Sequence, residues 1–183
     1  KGMGAVYTST SSDGPLRLPE FNTSAREQII VELFQPYASG LATTVSTVLD
    51  RFQRCLLIDA HSFPSVPLAY EDADLKRPDL CIGFDPFHAP EVLVQALERE
   101  ARIHGWSSAR NQPFSGSYVP PCHYMTESRV TSVMLEVNRR LYMDENTGRK
   151  SAGFDSTANT VKALVSVAVL FEAFRHTHFI AYP

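Results

Sequence analysis

The chain has 183 residues, 44% of them hydrophobic and 20% charged, with a formal net charge of −3. Such figures fit one ordinary globular domain over residues 1–183 and offer no basic footprint for nucleic acid. Cys55, Cys81 and Cys122 are an odd number without framework or CxxC spacing, which argues for a reducing, cytoplasmic setting and against a cysteine-built zinc site.

The sequence opens without Met on "KGMGAVYTSTSSDGPLR", which reads as the inside of a domain: a short alternating strand over 5–8, then a polar turn over 11–14. A fragment or a processed chain is the expectation here. The next segment, 21–53, is helical: Asn22, Thr23 or Ser24 suits the N-cap, Glu27 the capping box, and apolar residues recur at helical spacing from Ile29 to Phe52. Pro36 and Gly40 are expected to bend or interrupt it. "RCLLIDAH" is a buried strand with a polar end, and an irregular Pro-rich stretch over 62–78 follows. "DLCIGFD" is a second short strand, and "APEVLVQALEREARIHG" is a helix with Pro90 in its first turn and Gly105 at its C-cap.

"WSSARNQPFSGSYVPPCHY" is a shaped loop with strand-like edges. A strand over 130–137 comes next, turning helical after Asn138, and the chain closes on a helix capped near Ser156 or Thr157. Within that helix "VKALVSVAVLFEAF" falls short of the ~20 residues of a membrane span and is broken by Lys162 and Glu172. Helices alternating with short apolar strands predict an α/β fold with a mostly parallel mixed sheet. Functional groups then collect at the carboxyl ends of strands, where Asp59, His61, Ser62 and Glu136 fall.

Asp59 and His61 share a face if their strand continues, which suits a metal-binding imidazole with a carboxylate behind it. The competing reading is a loop histidine bonded to backbone. Glu136 lies among apolar neighbours in "SVMLEVNRRLY", where burial raises a carboxyl pKa toward useful acid–base chemistry. An ion pair with Arg139 or Arg140 is the alternative. Asn111, Ser115, Ser117, Tyr118, His123 and Tyr124 can grip a small polar substrate, or simply shape a packing loop. Cys122 beside His123 is a weak nucleophile pair, because adjacent residues of an extended chain point apart. Arg139 and Arg140 can clamp a substrate carboxylate, or serve a solvated surface. His176 and His178 read as near-terminal surface residues.

The order "LIDAHSFPS", "PDLCIGFD", "NQPFSGSYVPPCHY" and "SVMLEVNRRLYMDE" resembles the N-formylglutamate amidohydrolase family over most of the chain. The resemblance implies a three-layer α/β/α sandwich of the zinc-carboxypeptidase kind. It also implies hydrolysis of a formyl amide to formate and an amino acid, zinc as cofactor, a small N-acyl amino acid as partner and a place in histidine degradation. No nucleic acid or membrane partner is expected. By the same resemblance His61 is a zinc ligand, Glu136 the general base, and Asn111, Ser117, Tyr118, His123, Arg139 and Arg140 substrate-binding residues. The family's first two zinc ligands belong to a Pro-His-Gly/Ser-Gly-like block and a following acid that do not precede "IDAHS" here. The chain is therefore expected to lack the N-terminal part of such an enzyme. Two other readings remain open: a carboxypeptidase or deacylase acting on another substrate, and a non-catalytic binding domain.

Overall fold

In the computed structural model, which describes residues 6–10, 14–17, 21, 23–68, 71 and 76–175, four strands form one sheet. They are β1 (Cys55–Phe63), β2 (Leu80–Gly83), β3 (Ser108–Arg110) and β4 (Val130–Asn138), in the spatial order β1-β4-β2-β3. β1 is parallel to β4 and β2 to β3, while β2 and β4 run antiparallel. The sheet is thus mixed with parallel pairings in the majority, as the alternation of elements predicts. β4 lies inside it, and all nine of its residues are buried. That position accounts for an apolar run uninterrupted by polar alternation.

Helices cover both faces. α1 (Thr23–Ile29) continues through a π-helical turn (Ile30–Phe34) into α2 (Gln35–Phe52). Val45 and Leu49 of α2 pack with Cys55, Val119 and Val130 on one face. On the other, α3 (Glu91–Ile103) and α4 (Phe154–Phe174) bury Leu93, Leu97, Leu164 and Ala168 against Ile82, Val133, Leu135 and Val137. The result is the three-layer α/β/α arrangement. Each fully buried aliphatic side chain contributes roughly 1.5–3 kcal/mol.

Several local expectations need correction. Residues 6–8 form no strand; the first hairpin-like feature is a bridge between Ser9 and Pro15, and most of the 11–14 turn lies outside the described residues. Asn22 also lies outside them, and the helix starts at Thr23. Pro36 does not break the helix. The chain widens into the π turn just before it, and the Gln35 N–H reaches back to Ile30 O. Since proline lacks an N–H and its ring crowds the carbonyl four residues earlier, a wider turn accommodates it without ending the helix. Gly40 sits inside α2 without effect.

α4 begins at Phe154, ahead of the expected cap, with Gly153 as N-cap. A Cβ at Gly153 would collide with Leu141 O in the short 3₁₀ turn (Arg139–Leu141), so glycine allows this close approach. By length and composition α4 is long and apolar enough to cross a membrane, contrary to the expectation from its apolar run. Here it is a core helix on the sheet, with Leu164, Ala168 and Glu172 buried. His176 and His178 lie outside the described residues.

Asp79 fastens the end of the sheet that carries the amino end of β2. Its Oδ2 accepts from the Ser107 N–H (2.9 Å) and hydroxyl (2.6 Å), and its Oδ1 accepts from Arg140 Nη2 at 2.6 Å. Burial alone would raise its pKa, but the Ser107 and Arg140 donors outweigh it and hold the carboxyl below its ordinary value. A carboxyl depressed on folding stabilises the fold above its unfolded pKa of about 3.9, and that stability is lost as the pH falls through the folded pKa. Asp79→Asn should therefore lower Tm at neutral pH, with the gap to wild type closing below about pH 3.9 in a pH series of thermal melts. Leu164→Ala should cost about 2–5 kcal/mol in denaturant unfolding, the range for emptying a close-packed aliphatic site.

Candidate active site

Strand register builds the centre. His61 on β1 pairs with Glu136 on β4, and Glu136 pairs in turn with Cys81 on β2. Partners across a sheet project from the same face, so these three side chains form one row. One step further, Asp59, Met134 and Gly83 form a second row on that face. The His61–Glu136 row lies toward the carboxyl ends of β1 and β4, and the Asp59–Met134 row at their midpoints.

Glu136 is 8% exposed, and its Oε2 is buried without a hydrogen-bond partner. Burial raises its pKa, as does the Asp59 charge; His61, Arg139 and Arg77 pull the other way without cancelling the rise. A carboxyl raised in this manner exchanges protons nearer neutral pH than an ordinary glutamate. An unmet buried acceptor also costs roughly 1–3 kcal/mol, more when charged. Beside it, burial pushes the Cys81 thiol up, and its Sγ donates to Phe114 O at 3.1 Å.

His61 holds Asp59 Oδ1 through Nε2 at 2.7 Å, with the two side chains 50% and 28% exposed. Donation from Nε2 leaves the Nδ1 lone pair free to bind a cation, with Asp59 setting the ring's orientation. This tautomer is assigned from the hydrogen bond. Asp59 Oδ2 also accepts the Tyr118 N–H at 3.4 Å. Asp59, His61 and Tyr118 line a cavity of about 310 Å³ with Tyr37, Leu41 and Leu57. A larger hollow of about 540 Å³ touches His61 from the opposite face, but its walls include Leu135, Val137 and α4 residues, away from the Asp59 row. The smaller cavity is the better candidate because its polar groups converge with the Glu136 face. Among the described residues no group of three His, Cys, Asp or Glu could hold a metal ion. A catalytic zinc usually takes three protein ligands, so the described residues by themselves do not complete such a site.

The loop donors separate into different roles. Asn111, in the left-handed region (φ 51°), accepts from the Phe84 and Gly116 N–H groups and so shapes the loop. Ser117 Oγ is buried without a partner, and Tyr118 reaches the cavity. His123 Nε2 meets Ser46 Oγ of α2 at 3.0 Å. Arg139 donates from Nε and Nη2 to Ser62 Oγ and O, while Arg140 is held by Asp79. The structure therefore brings His61, Glu136 and Tyr118 around one face and engages Asn111, His123 and Arg140 with other protein groups. Tyr124 gives its hydroxyl proton to Asp85 Oδ2 at 3.2 Å.

Arg77, Cys81 and His88 escape a reading of the sequence alone. Arg77 stands in the Pro-rich "KRPDL", where no periodicity assigns it a side. His88 Nδ1 donates to Val130 O at 2.9 Å and Nε2 accepts the Met125 N–H at 3.0 Å, a structural role linking the loop to β4.

Fold and site together define the class: an α/β/α sandwich with a buried carboxyl and an imidazole side by side near the carboxyl ends of two parallel strands. The chain belongs to the N-formylglutamate amidohydrolase family, whose model matches residues 1–143. It is 31% identical over 146 residues to an N-formylglutamate deformylase of Pseudomonas aeruginosa, covering 76% of this chain and 54% of that protein. It superposes on the crystal structure of N-formylglutamate amidohydrolase from Ralstonia eutropha JMP134 with a TM-score of 0.75 and 25% identity, covering 94% of this chain and 62% of the other. A gene product of Agrobacterium tumefaciens shares the fold at a TM-score of 0.63 and 13% identity, over 90% of this chain and 62% of that one. The chain thus spans about half the length of the curated relative it matches.

Gly83 lets the loop close over the site, because a Cβ there would collide with Gly116 O and with Met134 Cε. Gly83→Ala is expected to push the 111–118 loop off the sheet and to cost about 1–3 kcal/mol, read as a lower unfolding midpoint.

Proposed function

We propose that the protein acts in hydrolysis of the formyl amide of N-formyl-L-glutamate, or of a related N-acyl amino acid. The observation that carries this reading is the Glu136–His61 row: a buried carboxylate with an unpartnered oxygen beside an imidazole held by Asp59. Membership of the family and the names of its relatives supply the substrate.

In this reading Glu136 accepts a proton from the attacking water as its oxygen bonds to the formyl carbon. The tetrahedral intermediate collapses with cleavage of the C–N bond, and Glu136 returns the proton to the leaving nitrogen. Formate and the free amino acid result. The raised pKa of Glu136 suits both transfers, since one group must hold and then release the proton. Ser117 Oγ and Tyr118 are the loop groups best placed to meet the substrate.

His61 is proposed as one ligand of a divalent metal, zinc by the family resemblance. Such an ion, when bound, supplies a more acidic water and a polarised carbonyl. Asp59 would fix the tautomer that presents Nδ1.

The test uses the natural full-length protein, formate release from N-formyl-L-glutamate and metal analysis. Glu136→Gln should lower kcat by about 10²–10⁴-fold, the usual worth of a positioned acid–base group. His61→Ala should lower both activity and metal content. Unchanged turnover in both variants, or a wild-type protein that releases no formate, would overturn the proposal.

A further inference from the structure

Arg77 is a buried cation with unspent donors. Its side chain is 6% exposed, and Nη2 donates to Glu71 Oε2. Nε and Nη1 are buried without any hydrogen-bond partner. A guanidinium has five N–H donors, and these two nitrogens carry three of them. Glu71 is itself shared, since its Oε2 also accepts the Leu68 N–H at 2.6 Å.

The position of Arg77 links it to the site. Its guanidinium carbon lies 5.3 Å from the Phe63 ring centre and 6.0 Å from that of Phe114. Phe63 follows Asp59 and His61 at alternate positions on β1, so it extends their face toward the strand's carboxyl end. Phe114 belongs to the loop that receives the Cys81 thiol proton. The Arg77 charge also acts on Glu136, favouring its ionised form. Two rings therefore hold a cation toward the carboxyl end of the face that carries the catalytic candidate. Cation–π contacts orient the guanidinium but provide no acceptor for its in-plane N–H groups.

Protein interiors rarely leave charged donors unmet, and a planar guanidinium fork matches a carboxylate. Arg139 and Arg140 already hold Ser62 and Asp79. We propose that Arg77 is a substrate-binding residue whose free Nε and Nη1 receive a carboxylate of the N-acyl amino acid. The assignment rests on the hydrolytic reading given above and adds the group that makes the substrate's acidity count.

The test compares wild type, Arg77→Met and Arg77→Lys in the natural full-length protein on N-formyl-L-glutamate, N-formyl-L-glutamine and the α-amide of N-formyl-L-glutamate. Arg77→Met should lower kcat/KM for the diacid by about 10²-fold, mainly through KM. It should have little effect on the mono-amide that lacks the carboxylate Arg77 holds, which identifies that carboxylate. Arg77→Lys keeps the charge without the fork and should fall between. Methylguanidinium added to Arg77→Ala should restore part of the diacid activity. An equal penalty on all three substrates would overturn the proposal, because it would mean a structural role or a bound water only.

A binding measurement keeps the inference separate from the activity. Glutarate should raise the Tm of wild type and leave that of Arg77→Met and Arg77→Lys almost unchanged. If wild type hydrolyses none of the formyl substrates yet shows this Arg77-dependent shift, the reaction assignment fails and the carboxylate site stands. If glutarate shifts wild type and both variants alike, or shifts none of them, the carboxylate site is overturned.

Discussion

Everything at the site depends on the parallel register of β1 with β4. Sliding one strand by a single residue would turn Glu136 to the opposite face, since side chains alternate along a strand. That register is held by the two layers it separates. Val45 and Leu49 close on Val130 from one side, while Leu164 and Ala168 of α4 meet Val133 and Leu135 from the other. A slip would exchange buried apolar groups for Glu136 and Ser132 across the core. The hydrophobic layers thus set the position of a buried carboxyl group that takes no part in their packing.

The same row explains how an acidic side chain survives in a central strand. Glu136 is costly there, and the structure tempers the cost with charge nearby, not with a salt bridge. His61, Arg139 and Arg77 act on it at a distance, while Asp59 opposes them. An ion pair would have locked the carboxylate in its charged form and spent the oxygen that remains unpartnered. The interaction with Arg139 or Arg140 that the sequence allows is absent because those guanidinium groups turn to Ser62 and Asp79.

The parts legible in the sequence are those with a strong period or a clear boundary. β1 and β4 are apolar runs ending on polar groups, and α3 has its Pro90 and Gly105 punctuation. β2 is different: its four residues are all buried, so no alternation reveals its direction, and its antiparallel pairing with β4 emerges only in three dimensions. The π turn before Pro36 is invisible for a related reason, because its spacing differs from an α-helix by a single residue over one turn. Asn111 looks like a substrate donor by residue type, yet its carboxamide closes its own loop. Arg77 gives no signal at all, since its two aromatic neighbours come from segments distant in the chain.

Asp59 has one oxygen on the His61 ring and the other toward the Tyr118 backbone. It therefore joins the histidine to the cavity wall. In the proposed reaction, a substrate that tightens the loop would also steady the ring, and an ion bound by the ring would also steady the loop. By thermodynamic reciprocity each event would then strengthen the other by the same factor. One carboxylate can in this way make occupancy of the two halves of the site cooperative, without any movement of the sheet beneath it.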